Sequence, residues 1–401
     1  MTLACVLIAV PVGLFVYAYL VYPALLQLFG ALKPAPKTWG DPPEWPMITI
    51  LIPAYNEEES LAETCEAILA LDYPADRRQI VVMSDASTDR TDEIAQSFAG
   101  RGVELLRLPQ RGGKTALENA VLPMVRGKIV VNTDATIRIP PHALKPLIRV
   151  FQDPTIGVAS GRDVSVGDLG REGNRHESSY VGYEMWVRAL ETRMGSIVGA
   201  SGCFYAVRRE LVDSLFPEAL SRDFASVLRA RRLGFRAVSV NDAICAVART
   251  RSLRAEYRRK IRTMARGLET LWFMRSVLDP FRHGTFAWML FSHKLARWLV
   301  WLTLPGVPLG LVLLAPSSPV AAWALAAQLA GAGLGLVALR WPEHRPVPPL
   351  LGFFGFALAS STAGFVAWIK ALRGELNPTW EPTRRPGVKA AVGTIGTAGK
   401  P

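Results

Sequence analysis

Ile48-Thr-Ile-Leu-Ile-Pro-Ala-Tyr-Asn-Glu-Glu-Glu-Ser-Leu-Ala-Glu63 and, after it, Ile80-Val-Val-Met-Ser-Asp-Ala-Ser-Thr-Asp89 decide the fold. Each is a short apolar run that ends on polar residues and hands over to a helix-like stretch. Ile48–Pro53 predicts a strand, and Ser60-Leu-Ala-Glu63 predicts a capping box opening a helix to Leu71. Ile80–Met83 predicts the next strand and Asp89–Ala99 the next helix. Val103–Leu108, Lys114–Val125 and Lys128–Asn132 continue the pattern. This alternation implies βαβ units, an α/β class and a mainly parallel sheet. Such sheets bind ligands beyond the carboxyl ends of their strands.

Around this core the chain is unusually apolar. Of its 401 residues, 50% are hydrophobic and 20% charged, with a net charge of +12; the mean hydropathy is +0.20. That excludes a disordered chain and disfavours a plain soluble enzyme. Residues 46–270 read as one charged globular domain, and the apolar excess lies at the ends. Leu3–Leu32 carries no charge and is followed by Lys33 and Lys37. About 20 apolar residues cross a bilayer, and no basic region precedes this run, so residues 1–32 are expected to be an uncleaved anchor. The positive-inside rule then places Met1 outside and the domain in the cytoplasm, as in a multi-pass protein of the inner (plasma) membrane.

Residues 298–369 are expected to form a C-terminal membrane region. Trp298–Ala315 and Val320–Leu339 read as a hairpin of spans. Pro349–Ile369 is expected to span only partly, packed in the interface or re-entrant. Both its flanks are basic: Arg340–Arg345 before it, and in the tail 370–401 Lys370, Arg373, Arg384, Arg385 and Lys389. Segment 271–297 mixes aromatic residues with cations, the composition of a helix along the headgroup layer.

Several chemistries are excluded. Gly113-Lys114-Thr115 resembles the end of a Walker A motif, but Leu108 stands where its first glycine belongs. No G-x-G-x-x-G follows a strand. The four cysteines and five histidines lack metal-ligand spacing, which argues against zinc. Eight cations fall within 249–266 (Arg249, Arg251, Arg254, Arg258, Arg259, Lys260, Arg262 and Arg266) against one acid, Glu256. Most are expected to face anionic lipid and one or two a diphosphate; nucleic acid is not expected as a partner.

Three carboxylates stand at strand tips or in turns: Asp85, Asp134 and Asp223. A carboxylate beyond a strand can accept from a base or ribose, hold a hard divalent cation, or take a proton from an attacking hydroxyl. Singly, each also suits an Asx turn or helix cap.

ILIPAYNEE, VVMSDASTD, RGGKTALENA, NTDAT and GASGCFYAVRR, in that order between Ile48 and Leu271, resemble the family 2 glycosyltransferases. The likeness is to membrane-bound bacterial enzymes related to polysaccharide synthases; FSHKLARWLV and TWEPTRR are similar to their C-terminal pattern. The resemblance implies a GT-A fold with transmembrane helices at both ends. It also implies inverting transfer from a nucleotide-diphosphate sugar, usually UDP-linked, to a saccharide or lipid-linked acceptor in cell-envelope synthesis. Ala54, Tyr55 and Glu57 would then lie beside the base, with Asp85 on the uridine and Lys114 near the phosphates. Asp134 would hold Mg²⁺ or Mn²⁺. Gly199, Ser201 and Gly202 would floor the acceptor site, Asp223 would be the general base, and Arg259 and Arg262 would face the diphosphate.

The chain departs from the family pattern in three places. Thr136 replaces a second acidic or amide residue, and Arg222 replaces the acid that commonly precedes the base. Arg259-Lys-Ile-Arg262-Thr263 lacks the Gln and Trp of Q-x-x-R-W, which argues for single addition over processive synthesis. The reading from a different class is a non-catalytic nucleotide- or lipid-binding membrane subunit of a glycan assembly complex.

Overall fold

The computed structural model describes residues 1–34, 37–166, 175–248, 253–342 and 347–375. Arg249, Arg251, part of the Arg340–Arg345 loop and the tail cations Arg384, Arg385 and Lys389, with the TWEPTRR segment, lie outside the described residues. The strands are β1 (Ile48–Ala54), β2 (Arg78–Ser84), β3 (Val103–Arg107), β4 (Ile129–Thr133), β5 (Ile137–Arg138), β6 (Ile156–Val166), β7 (Phe204–Arg208) and β8 (Arg236–Ala248). They form one sheet in the order β3-β2-β1-β4-β7-β6-β8-β5. β3, β2, β1 and β4 are parallel; β7 runs against both β4 and β6; β6 and β8 are parallel, and β5 runs against β8. The sheet is therefore mixed, with its parallel half built from the stretches that begin the chain's alternation.

β1 is buried along its whole length, which explains an apolar run without polar alternation: both faces of a central parallel strand are covered. Leu51 packs on one side with Val81, Val130 and Tyr205. Ile48, Ile50 and Ile52 pack on the other with Ile80, Val82 and Val131. Each such side chain contributes about 1.5–3 kcal/mol by leaving water. Tyr22 and Leu26 of the N-terminal helix, and Phe286, Met289 and Leu290, belong to the first of these cores. The apolar ends of the chain are thus seated on the domain.

The capping box at Ser60 does not form. Ser60 Oγ donates to Glu57 Oε2 at 2.7 Å, and Arg138 Nη2 donates to Glu63 at 2.6 Å. Glu57 in the loop after β1 claims the first side chain and Arg138 of β5 the second, and the helix Leu61–Leu69 begins without a side-chain cap.

Helices Thr2–Ala31, Pro319–Leu339 and Pro349–Leu372 are long and apolar enough to cross a membrane. Thr285–Thr303 and Gly306–Leu314 meet that test as a pair bent by 44°, and Pro305 caps the second piece at the break. The bent pair runs antiparallel to the N-terminal helix. Tyr17 Oη lies 2.7 Å from Ser292 Oγ, while a Cβ on Gly310 would come within 2.7 Å of the Ala4 carbonyl.

Two expectations about the C-terminal region change. Segment 271–297 is not one interfacial helix: the helix Leu253–Phe273 ends inside it, short turns follow, and Thr285 opens the helix that continues to Thr303. Pro349–Ile369 is not re-entrant but part of a continuous 24-residue helix; the broken element is the one at Pro305. Its small residues serve helix packing, because a Cβ on Gly364 would lie 2.4 Å from Trp301. Midway along it, Lys260 of the domain donates to Ser360 Oγ at 2.6 Å and sits 3.7 Å from the Phe356 ring centroid.

Gly364→Val should therefore displace Trp301 at a cost of about 1–3 kcal/mol, seen as a melt several degrees lower in detergent. Gly352→Ala, where the nearest foreign atom would be 3.8 Å away, should leave the melt unchanged.

Candidate active site

The site is organised by Arg111-Gly-Gly-Lys-Thr115 and the helix it opens, Lys114–Ala120. Asp85, fully buried beyond β2, accepts from the amides of Gly112 at 2.7 Å and Gly113 at 3.2 Å. Gly113 has φ +87°, a conformation costly for any residue with a Cβ. The Arg111 guanidinium stacks 3.7 Å from the Tyr55 ring centroid. The loops beyond β1 and β2 are laced together: Thr88 N donates to Asn56 Oδ1 at 2.8 Å, and Glu57 N to Thr91 Oγ1 at 2.8 Å. Asn56 (φ 51°) and Ala86 (φ 55°) are both left-handed, the kind of strain that collects at functional sites.

Lys114 connects the two sides of the cleft. Its Nζ donates to Asp134 Oδ1 at 2.8 Å and to the Gly202 carbonyl at 3.1 Å. Burial lowers its pKa, but Asp134 and then Glu118 outweigh that, so the ammonium titrates above the ordinary lysine range. Gly202 also faces the candidate base, since a Cβ there would lie 3.2 Å from Asp223 Oδ2. Asp223 sits in the first turn of the helix Arg222–Arg232, where the helix dipole favours a negative charge. Ser221 Oγ donates to Asp223 Oδ1 at 2.6 Å. Ser201, beside Gly202, is held by Asp163 of β6 at 2.6 Å.

The structure thus brings Asp85, Lys114, Asp134, Ser201, Gly202 and Asp223 into one connected set; Ala54, buried at the end of β1, receives the Asp85 amide, and Tyr55 and Glu57 follow it in the loop beyond β1. Asp85, expected on the uridine, is committed to the glycine loop through the Gly112 and Gly113 amides. Gly199 lies at the far side of the set, beneath Lys294. Arg259 is turned away, giving two 2.8 Å hydrogen bonds to the buried Glu256. Arg262 is partly buried on the same helix. One turn later Arg266 reaches the site, donating to the carbonyls of Ala219 and Leu220 and to Thr115 Oγ1. With Lys260 on Ser360, part of the basic run is therefore engaged with protein rather than lipid.

Sequence reasoning missed Glu118, Asp163, Tyr205 and Arg266. Glu118 was within reach, standing four residues after Lys114 on the same helix face; Asp163 carried no local signal in mid-strand. Arg222 Nε lies 3.2 Å from Glu118 Oε2, off hydrogen-bond geometry, with both side chains buried. This places an acid beside the base from another helix, where Arg222 had suggested its loss. Burial raises the Glu118 pKa, while Arg222 and then Lys114 pull it down. Among the described residues the buried Tyr205 hydroxyl has no hydrogen-bond partner, and burial, then Glu118 and Asp223, raise its pKa.

Among the described residues no group of three or more His, Cys, Asp or Glu side chains could hold a metal. Asp134, its Oδ1 on Lys114 and its side chain 32% exposed, offers the hard oxygen donor that such a cation would take. Mg²⁺ and Mn²⁺ sites in phosphate chemistry commonly use one or two carboxylates, with phosphate and water completing the shell. The residues fit that kind of site and not an all-protein cage.

A mixed, mostly parallel sheet with a glycine loop and carboxylates at its strand ends is the architecture of the GT-A fold. Residues 49–216 match the family profile described as glycosyl transferase family 2: the chain carries a family 2 glycosyltransferase domain. It is similar to a beta-monoglucosyldiacylglycerol synthase of Nostoc sp., 26% identical over 42% of this chain and 37% of that protein. It is also similar to an N-acetylglucosaminyltransferase of Mesorhizobium japonicum, 26% identical over 57% of this chain and 58% of that one. The matched stretch spans from about a third to somewhat over half of these two relatives. A mannosyltransferase from Pyrobaculum calidifontis, solved with GDP-Man and Mn²⁺, shares the fold. Its TM-score is 0.73 and its identity 24%, over 93% of this chain and 99% of that one.

Arg222→Met should destabilise the protein by about 3–5 kcal/mol by leaving a buried carboxylate unpaired. Glu118→Leu added to it should recover most of the loss. Protonation relieves an unpaired carboxyl, and a raised folded pKa stabilises below the unfolded value near 4.5 and loses that effect as pH rises. The deficit of Arg222→Met, read from urea midpoints, should therefore shrink as pH falls toward 4.5.

Proposed function

We propose that the protein is a membrane-bound inverting glycosyltransferase that moves a sugar from a nucleotide-diphosphate donor to a lipid-linked or saccharide acceptor. The observation that carries this reading is the run Asp134–Lys114–Gly202–Asp223. One ammonium joins the carboxylate suited to the diphosphate side to the loop against the candidate base. The acceptor hydroxyl lies at Asp223, which takes its proton as the oxygen attacks the anomeric carbon. The bond from that carbon to the diphosphate oxygen breaks on the opposite face, so the configuration inverts. Lys114 meets charge gathering on the departing diphosphate. Mg²⁺ or Mn²⁺ held by Asp134, when bound, neutralises part of the same charge.

A UDP-linked sugar is the proposed donor. The acceptor class draws support from relatives named for a glucosyldiacylglycerol product and for N-acetylglucosaminyl transfer. Apolar helices at both ends, seated on the domain's own core, support a place at the membrane. The inner membrane is proposed, with the domain on the cytoplasmic face, in envelope polysaccharide or glycolipid synthesis.

Asp223→Asn should slow transfer by roughly 10²–10⁴-fold while retaining nucleotide affinity by calorimetry; a fully active variant removes the proposed base. Chelation with EDTA should stop transfer, and Mn²⁺ or Mg²⁺ should restore it. Undiminished turnover in chelator contradicts the metal role of Asp134.

A further inference from the structure

The turn 217–221, which presents Asp223, is held by a helix to which the chemistry above gives no part. The helix Arg222–Arg232 that follows this turn starts without a side-chain cap. Ser221, at its N-cap, is a residue type that usually supplies one, but its hydroxyl is spent on Asp223 Oδ1 at 2.6 Å. Support comes instead from Arg266 and Thr270, four residues apart and therefore on one face of the helix Leu253–Phe273.

The Arg266 guanidinium gathers three successive carbonyls of the turn. Nη2 donates to Glu218 at 3.2 Å and to Leu220, and Nε donates to Ala219 at 3.2 Å. Nη2 also reaches Thr115 Oγ1 at 3.1 Å, whose own hydrogen goes to the Leu220 carbonyl at 3.0 Å. Thr115 follows Lys114, so the same fork ties the turn to the helix that carries that ammonium. Thr270 is fully buried. Its Oγ1 accepts from the Ser221 amide at 2.9 Å and donates to the Arg266 carbonyl at 2.7 Å. Each residue from Glu218 to Ser221 thus has a backbone group fixed by one helix. That helix is itself closely seated, since a Cβ on Gly267 would lie 3.0 Å from Trp298. A guanidinium holds several acceptors in fixed directions, which an ammonium cannot do. With Nε and Nη2 turned to the protein's own backbone, the Arg266 fork is built to fix a turn.

We infer that Arg266 and Thr270 are positioning residues for the transfer reaction, setting the turn from which Asp223 meets the acceptor hydroxyl, and that Arg266 is not a diphosphate contact. This rests on the reading of Asp223 as the base. Loss of the clamp moves the base but leaves the glycine loop on Asp85. The chemical step therefore slows while nucleotide binding persists.

The test compares Arg266→Met, Arg266→Lys, Thr270→Val and Thr270→Ser with wild type, each as the full chain in nanodiscs. Turnover is read at saturating UDP-glucose or UDP-N-acetylglucosamine on a membrane lipid extract, and UDP affinity by calorimetry. Hydrogen exchange over residues 217–226 is read by mass spectrometry. Arg266→Met, Arg266→Lys and Thr270→Val should each lose roughly 10–10²-fold in turnover, with UDP affinity nearly unchanged and faster exchange in the turn. Thr270→Ser should retain turnover, because its hydroxyl serves the same two hydrogen bonds. Should Arg266→Met not fold, the near-isosteric Thr270→Val carries the same test. UDP affinity that falls with turnover in Arg266→Met and returns in Arg266→Lys makes Arg266 a diphosphate contact and overturns the proposal. So does wild-type exchange over 217–226 in Arg266→Met and Thr270→Val. Wild type that transfers from neither donor strikes the transfer reading instead, and the exchange arm still decides whether the clamp holds the turn.

Discussion

The architecture of the site depends on one constraint, the commitment of the Asp85 carboxylate to the amides of Gly112 and Gly113. That contact sets where the helix Lys114–Ala120 begins, and everything across the cleft is measured from it. Lys114 then reaches Asp134 and Gly202, and Thr115 Oγ1 donates to the Leu220 carbonyl. Asn119 receives Arg222 at 2.8 Å. A short helix thereby aligns the strand-end carboxylates of the parallel half-sheet with the turn that presents Asp223. A shift of one residue in the glycine loop would move all of these contacts together.

The second theme is the union of domain and flanks. Tyr22, Leu26, Phe286 and Met289 belong to the same buried cluster as Val81 and Phe224. The apolar ends are therefore part of what holds the domain, and the residue following the candidate base packs in that shared core. The Glu184–His293–Glu191–Tyr22 network ties the same three segments through polar contacts. The proposed chemistry at Asp223 and the proposed place at a membrane thus share one packing arrangement.

Much of this was legible in the sequence because it is local. The strands at Ile48, Ile80, Val103 and Lys128 announce themselves by short apolar runs, and the strand-tip acids follow directly. What the sequence hid was long-range. Arg222 reads alone as the loss of an acid, and only the fold brings Glu118 against it. Ser60 and Glu63 have the spacing of a cap, but Glu57 and Arg138 compete for them more effectively than a helix terminus. Arg266 and Arg259 look alike in a basic run, and helical phase, set by packing, sends one to the site and the other to Glu256. Pro349–Leu372 carries glycines and hydroxyls that suggest a broken element, yet Gly364 is there to admit Trp301.

The central claim is that a nucleotide-diphosphate sugar loses its sugar at this site to a membrane-borne acceptor. Its most direct test is the mass of the product formed when the full-length protein, in membrane extract, is offered UDP- and GDP-linked sugars one at a time with Mn²⁺. The account predicts that one donor adds a single sugar's mass to a lipid-extractable acceptor and releases an equal amount of nucleoside diphosphate. Nucleotide binding with every donor, but no acceptor changed in mass, would contradict it.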